Sequence, residues 1–453
     1  MEGISMVLKN GGIIKEVIEG QELLNTLRTV GNFHVKSKNG HEWNFDADLL
    51  STHLLAVGSI GSGKTNTLYF IVKEIIKHIS SGDILIFFDS KGDFLKRFYR
   101  SGDYIIGNST QYPGYPFSYW NIYEELKETK GNREDAIREI ATSLFRKRID
   151  AAKDPTFASG ARDIFSAIVE AQFRDKKFNQ NNYTLKNTIK SLNIKEIKEI
   201  IGNYSDMNWI NMYMHNEGSA TTQSYLSPLG SVINDVFSAH FGEKGNFSIK
   251  KAINDRGGKS IFLEYDIVNS NLIDVVYTVM LDLACKEALA NENSNQFVYF
   301  VLDEFPLIPK LNYIDNLLNF GRSRGVRVIA GIQNVNQVKG TYGDALGASI
   351  LSGFSTYLVF HLFDEESRKL VAERHGKNRK MIRLPYSDAS QSGNQEYEQG
   401  NVIEDWDITV LDKGECIISL PYGDPFMFCP DIYPEVMPQI SIGKDIPKIQ
   451  IKS

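Results

Sequence analysis

The sequence predicts an α/β fold: a largely parallel sheet carries a phosphate-binding loop, and an all-α domain is inserted between the two halves of that sheet. Three observations point to it. The stretch Gly58-Ser59-Ile60-Gly61-Ser62-Gly63-Lys64-Thr65 fits G-x-x-x-x-G-K-[ST], entered by an apolar run and left by a helical one. Short apolar runs recur after it, as buried parallel strands do. From about Asn132 to His240 these runs give way to apolar residues at helical spacing.

In chain order, residues 1–50 read as a short lead-in, with Phe33-His34-Val35 and Trp43-Asn44-Phe45 as strand-like pieces around Lys38-Asn39-Gly40. His53-Leu54-Leu55-Ala56-Val57 is the strand that enters the loop. Leu68, Ile71, Val72, Ile75 and Ile76 share one face of the helix that leaves it. Ser80-Ser81-Gly82 stops this helix, and Ile84-Leu85-Ile86-Phe87-Phe88 follows as a buried strand ending at Asp89-Ser90-Lys91-Gly92-Asp93. Strand, loop, helix, loop, strand opens a parallel sheet.

In the helical stretch, Ile137, Ile140, Ala141 and Leu144 share a face. So do Phe157, Ala161, Ile164, Phe165, Ile168 and Val169, and later Leu185, Ile189, Ile194, Ile197 and Ile201. The stretch is mildly basic, with about four net positive charges from Lys130 to Asp206. Its cluster Arg146-Lys147-Arg148 reads, taken alone, as a solvated helix end. The sheet resumes at Ile261-Phe262-Leu263-Glu264-Tyr265, and a helix over about 272–289 leads to the strand 297–304. Residues 326–333, 356–360 and 416–420 are further strands. Asp388 to Gly400, rich in Ser, Gln, Gly and Asn, reads as a mobile loop. The expected domains are a lead-in (1–50), a discontinuous nucleotide-binding domain (51–130 and 241–453) and an all-α insertion (131–240).

The chemistry starts at the loop. Its glycines let the backbone wrap a phosphate chain without Cβ clashes, so Gly58, Ser59, Ile60, Gly61, Ser62, Gly63, Lys64 and Thr65 form a cradle of N–H groups at a helix N-terminus. Lys64 is placed to reach the β- and γ-phosphates of ATP, and the Thr65 hydroxyl to sit on Mg²⁺. Asp303-Glu304 closes a strongly apolar strand, where ligands bind in open α/β sheets. Asp303 is expected to hold the metal's water shell, and Glu304 to orient and deprotonate the attacking water. Gln333, ending the next strand, can hydrogen-bond both that water and the γ-phosphate. Arg322, in Gly321-Arg322-Ser323-Arg324-Gly325, is either a finger offered to a neighbouring subunit's phosphate or an arginine facing solvent. Lys91 and Asp93 either lie near the nucleotide or cap the next helix.

Composition narrows the class. With 453 residues, 42% apolar and 23% charged, the chain has room for two or three ordinary globular domains. A net charge of −6 argues against a uniformly basic nucleic-acid coat, though not against a motor with basic groups confined to a pore. Cys285, Cys416 and Cys429 are far apart, so neither a disulfide framework nor a zinc site is expected. His34, His53, His78, His215, His240, His361 and His375 show no ligand spacing. No secretory leader and no window of roughly 18 apolar residues is evident, which makes a cytoplasmic chain the expectation.

Four blocks of residues resemble a known family. Asp89-Ser90-Lys91-Gly92-Asp93, Leu302-Asp303-Glu304-Phe305, Gly321-Arg322-Ser323-Arg324-Gly325-Val326, and Gly331-Ile332-Gln333-Asn334-Val335-Asn336-Gln337 with Tyr342-Gly343 look like the TraG/TraD type IV coupling proteins of the HerA/FtsK superfamily. The resemblance runs from about His53 to Leu420. Phe157-Ala158-Ser159-Gly160-Ala161-Arg162-Asp163-Ile164 and Trp120-Asn121 are similar to pieces of that family's all-α domain. It implies a RecA-like P-loop NTPase sheet with that domain at the mouth of a ring. It further implies ATP and Mg²⁺ as ligands, DNA as the substrate, a homo-oligomer of six, and the roles above for Lys64, Asp303, Glu304, Gln333 and Arg322. Most members carry an N-terminal transmembrane pair. Without one here, the expectation is a chain held at the inner membrane face by a separate membrane subunit, or a soluble relative active in a mobile element or in defence against phage.

Three functions are carried forward. The leading one is a ring-shaped ATP-hydrolysing DNA translocase that meets a relaxase. The others are an ATP-gated scaffold that recruits an effector protein, and a pump for protein cargo received by the helical insertion.

Overall fold

The computed structural model describes residues 6–7, 14–108, 114–191, 194–214, 219–265, 270–383 and 395–434. Its strands are β1 (Met6–Val7), β2 (Ile14–Glu19), β3 (Phe33–Lys36), β4 (Glu42–Phe45), β5 (Leu54–Val57), β6 (Ile84–Asp89), β7 (Tyr104–Ile106), β8 (Lys259–Glu264), β9 (Val298–Leu302), β10 (Val326–Ile332), β11 (Thr356–Val359), β12 (Lys377–Arg383), β13 (Gln395–Asn401), β14 (Cys416–Ser419) and β15 (Phe426–Phe428). The chain divides into two compact units. The first is Met1–Ile79, Leu302–Pro306 and Arg327–Glu435; the second is Ser80–Val301, Leu307–Val326 and Val436–Ser453. The class is α/β, as expected, with parallel pairing predominating around the loop.

In the first unit the strand order is β15-β14-β11-β5-β10. β5 is parallel to both neighbours, with Val57 level with Ile332 on one side and Val359 on the other. All four residues of β5 and all seven of β10 are buried, which explains their unbroken apolar sequences. β14 and β15 extend the sheet antiparallel. The β3–β4 hairpin stacks Trp43 on Phe45, with ring centroids 4.4 Å apart. Leu68, Ile71, Val72 and Ile75 of the helix Lys64–His78 are buried, while Ile76 is half-buried.

A separate sheet, β1-β2-β12-β13, belongs to this unit as well. It corrects the loop expected at 388–400. Residues 388–394 lie outside the described residues, but Gln395 onward pairs antiparallel with Lys377–Arg383, Gln399 facing Arg379. Residues 397–399 are solvent-exposed, so no apolar alternation marks this strand in the sequence. Its support includes the Arg379 guanidinium, 4.9 Å over the Tyr397 ring.

In the second unit the strand order is β9-β6-β8-β7, and β6 and β7 run parallel to β8. Phe87 of β6 stacks on Phe262 of β8 at 4.7 Å. β6 ends at Asp89, whose buried carboxylate accepts from the N–H groups of Phe94 (2.8 Å), Leu95 (2.9 Å), Asp93 (3.2 Å) and Lys91 (3.3 Å). The helix Asp93–Phe98 is thus capped from the strand end. Burial pushes the Asp89 carboxyl up, against these donors.

The chain enters the helical stretch beside the point where it leaves. Asn121 N donates to Phe247 O and Phe247 N to Tyr119 O, both at 3.0 Å. The fully buried Asn182 ties the two together, its amide bonding Trp120 O at 2.8 Å and Phe241 O at 2.9 Å. Between them lie the helices Arg133–Ala151, Thr156–Arg174, Asn182–Ser191, Ile194–Gly202 and Ala220–Val236. Apart from the half-buried Phe157, the apolar residues that share helical faces in the sequence are buried here. A Cβ on Gly160 would lie 2.4 Å from Tyr225, so glycine sets the close approach of Thr156–Arg174 to Ala220–Val236.

Candidate nucleotide-binding site

The loop after β5 is shaped by its glycines. Gly61 and Gly63 have φ of 77° and 115°, a region that L side chains avoid. A Cβ on Gly58 would meet Phe360 Cβ at 2.5 Å, and one on Gly63 would meet Gly414 Cα at 2.8 Å. Gly63 is the N-cap of the 15-residue helix beginning at Lys64, so the loop's N–H groups and the helix N-terminus serve one spot.

Thr65 and Asp303 meet there. Thr65 Oγ1 donates to Asp303 Oδ1 at 3.0 Å, joining the first turn of the helix to the end of β9. The Lys64 ammonium is buried and folded back over the loop, donating to Gly58 O at 2.5 Å and Ser59 O at 3.1 Å. Both acceptors are neutral carbonyls, so an anion in the cradle competes for this ammonium with a charge-assisted bond. Two polar atoms here are buried without a hydrogen-bond partner among the described residues: Ser62 Oγ and Glu304 Oε1. A buried oxygen that lacks a partner fits a group that must meet a water or a phosphate.

Register places the remaining residue. Ile332 lies level with Val57 and its carbonyl accepts from Gly58 N at 3.2 Å, so Gln333 continues β10 beside the first loop glycine. Gly331 packs on the acidic pair, where a Cβ would fall 2.2 Å from Asp303 O. Gly58–Thr65, Asp303, Glu304 and Gln333 therefore come together within the first unit. Arg322 lies in the second unit, exposed, in the turn Gly321–Arg324 that follows the helix Ile314–Phe320. Lys91 and Asp93 are also in the second unit, at the capped helix start described above.

Sequence reasoning missed the groups that wall the loop. Gly414 N donates to Ser62 O at 2.8 Å, and Ser59 N donates to His361 O at 2.8 Å. Asn66 bonds Asp431 O and accepts from Tyr433 N. Gln337 Oε1, four residues beyond Gln333, is another buried oxygen without a partner among the described residues. Gly414, His361, Asp431 and Tyr433 are far from the motif in sequence and carry no pattern of their own, and Asn66 directly follows the motif without being part of it. Gly331 had a signal, a glycine inside an apolar strand, and Gln337 stood in the block that carries the resemblance.

What the arrangement can do follows from its parts. A ring of N–H donors, an ammonium on a flexible stem, a hydroxyl beside a carboxylate, and a carboxylate with an unsatisfied oxygen suit a polyanion, a divalent cation and a water. Among the described residues, no His, Cys, Asp and Glu group together as a transition-metal site.

Comparison with known proteins places the chain. Residues 44–428 match the family described as type IV secretion-system coupling protein DNA-binding domain. The coupling protein TraD of Escherichia coli (strain K12) is 20% identical over 409 residues, covering 84% of this chain. The chain spans 54% of the length of that relative. Among solved structures, the unbound bacterial conjugative coupling protein TrwBdeltaN70 superposes with a TM-score of 0.72 at 16% identity, covering 95% of this chain and 97% of that one. The plasmid coupling protein TrwB in complex with ADP and Mg²⁺ gives a TM-score of 0.70 at 15% identity, covering 95% and 97%. At these identities the structures speak for the fold, a RecA-like P-loop sheet with a helical domain. The match over 44–428 settles the lineage: this chain belongs to the type IV secretion-system coupling proteins.

Proposed function

We propose that this chain is the ATP-hydrolysing subunit of a six-membered ring that moves DNA or a DNA–protein complex toward a conjugative secretion channel. The observation that carries it is the Thr65–Asp303 bond beside Glu304's unpartnered Oε1, at the N-terminus of a loop-capped helix in a coupling-protein chain. ATP with Mg²⁺ supplies the phosphoanhydride and the charge-neutralising cation. Gly58–Thr65 would hold the phosphates through backbone N–H groups, and Lys64 would leave the carbonyls of Gly58 and Ser59 for them. Thr65 Oγ1 and Asp303 would hold the cation. Glu304 takes the proton from the attacking water, and the Gln333 amide orients that water. Arg322, exposed in its turn, acts on the site of a neighbouring copy.

In this reading residues 131–240 form a domain inserted into the nucleotide-binding domain of 51–130 and 241–453, and it meets the substrate. The adjacent crossing points at Trp120 and Phe247 support that division. Among the described residues no helix is long and apolar enough to cross a membrane. A separate membrane subunit is the partner that would hold the chain at the cytoplasmic face. A relaxase is the partner that brings the DNA.

The test is ATPase activity with single- and double-stranded DNA, alongside particle mass with and without nucleotide. Wild type should hydrolyse ATP faster with DNA and assemble on nucleotide, while Lys64→Ala and Glu304→Gln fold normally and lose the activity, by about 100-fold or more. Hydrolysis at the wild-type rate in either variant would show the site to be misassigned. Indifference to DNA, with ATP-dependent capture of an effector, would favour a scaffold instead.

A further inference from the structure

The segment 307–322, which ends at Arg322, is fastened to the helices Arg133–Ala151 and Ser270–Leu289 by directional bonds. Asn312 lies within it. Its backbone N–H and side-chain amide donate to the two oxygens of Asp282, at 2.8 and 2.7 Å. Its Oδ1 accepts from Arg146 Nη2 at 2.7 Å, and Arg146 Nη1 reaches Lys310 O at 3.1 Å. Next door, Tyr313 Oη donates to Glu139 Oε1 at 2.7 Å, while Lys286 Nζ holds the other oxygen at 2.5 Å. Arg146 and Glu139 lie on the helix Arg133–Ala151, and Asp282 and Lys286 on the helix Ser270–Leu289.

Asp282 is buried, and burial pushes its carboxyl up to about 6, against the Asn312 bonds and Arg146. Beside these bonds is a cavity of about 400 Å³, lined by Asp135, Arg138, Glu139, Arg146, Asn312 and Tyr313. The joint is therefore polar and roomy on this side, while Ile308, Leu311 and Ile314 of the same connection are buried. Arg146 thus has a job that its cluster in the sequence did not suggest. Its neighbour Arg148 is tied elsewhere, to Asp235 at 2.5 Å.

We propose that Arg146, Asn312 and Asp282 are positioning residues for the hydrolytic reaction. They hold the connection 307–313, and with it the helix Ile314–Phe320 that leads to Arg322, in place against the helices Arg133–Ala151 and Ser270–Leu289. The idea rests on the hydrolytic reading above. Tyr313, next to Asn312, is the N-cap of Ile314–Phe320, which runs into Gly321–Arg324. A shift of the helix Arg133–Ala151 would therefore be passed along a short, anchored segment to Arg322. Misplacing a catalytic group by about 1 Å costs on the order of 100-fold in rate, so a modest slip here is enough.

The full-length chain tests this with Arg146→Ala, Arg146→Lys, Asn312→Ala and Arg148→Ala. Amide hydrogen exchange over 307–320 and the ATPase kcat and KM are measured for each. Arg146→Ala and Asn312→Ala are expected to exchange faster by about tenfold. Their kcat should fall about tenfold with KM within about twofold. Arg146→Lys should recover part of the kcat, and Arg148→Ala should match wild type in both. Unchanged exchange and kcat in Arg146→Ala, or an equal loss in Arg148→Ala, would overturn the proposal. A wild-type chain without ATPase activity would overturn the hydrolytic reading and the positioning role with it. The exchange rates, which need no turnover, tell that failure from failure of the fastening itself.

Discussion

Thr65 Oγ1 and Asp303 Oδ1 are 3.0 Å apart although 238 residues separate them in the chain. The bond ties the helix that starts in the phosphate-binding loop to the end of an apolar strand. A hydroxyl beside a carboxylate is the pair of oxygens a hard divalent cation takes. Thr65→Ala should therefore weaken nucleotide binding about tenfold in the presence of Mg²⁺ and much less in EDTA. Titration with a fluorescent ATP analogue under both conditions reads this. Equal losses with and without the metal would remove Thr65 from the cation's surroundings.

Gly331 offers a different lever on the same pair. A Cβ there would stand 2.2 Å from Asp303 O, a backbone atom with little freedom to move. Gly331→Ala should destabilise the fold by about 2 kcal/mol, as overpacking in a buried strand does. Urea unfolding checks it, and a midpoint unchanged from wild type would show that the two strands separate at no cost.

Glu170 is the hub of an ionic cluster in the helical stretch. It accepts from Arg133 at 2.8 and 2.6 Å and from Arg174 at 2.6 Å, and Arg174 also reaches Glu134 and Asp206. Burial drives its carboxyl up, but the two guanidinium groups outweigh that and hold it low. Glu170→Ala leaves two facing arginines without their shared anion. The expected loss is about 2 kcal/mol, less than for a fully buried pair because both arginines are partly exposed. Thermal unfolding of Glu170→Ala and Glu170→Gln against wild type tests this, and a Glu170→Ala midpoint at or above wild type contradicts it.

His375 makes the fold sensitive to mild acid. Its Nδ1 lies 2.8 Å from Gln21 Oε1 and its Nε2 2.6 Å from Ser419 Oγ. Burial, with Arg374 nearby, lowers its pKa from 6.5 to about 4. Between those values the unfolded chain binds the proton more readily than the folded one. The stability His375 contributes is therefore complete above about pH 6.5 and is lost as the pH falls toward 4. Melting temperatures from pH 7.5 to 4.5 should drop more steeply for wild type than for His375→Gln. Parallel curves would mean that His375 is free to protonate in the fold.

The sequence by itself determined the α/β class, the eight-residue loop and the acidic pair, because each is written in local pattern. Unbroken apolar runs mark strands buried on both faces, and spacing near four marks helices with one buried face. Gly61 and Gly63 of the loop are legible for the same reason, since their φ values admit little else. What depends on partners distant in the chain was silent. The strand β13, exposed at 397–399, has no apolar alternation, and Gly414 and His361 wall the loop without a motif. The solvated look of Arg146 hid its bond to Asn312, 166 residues away. A hydrogen bond is decided by where two chain segments are brought, and only packing of the sheet and helices brings them there.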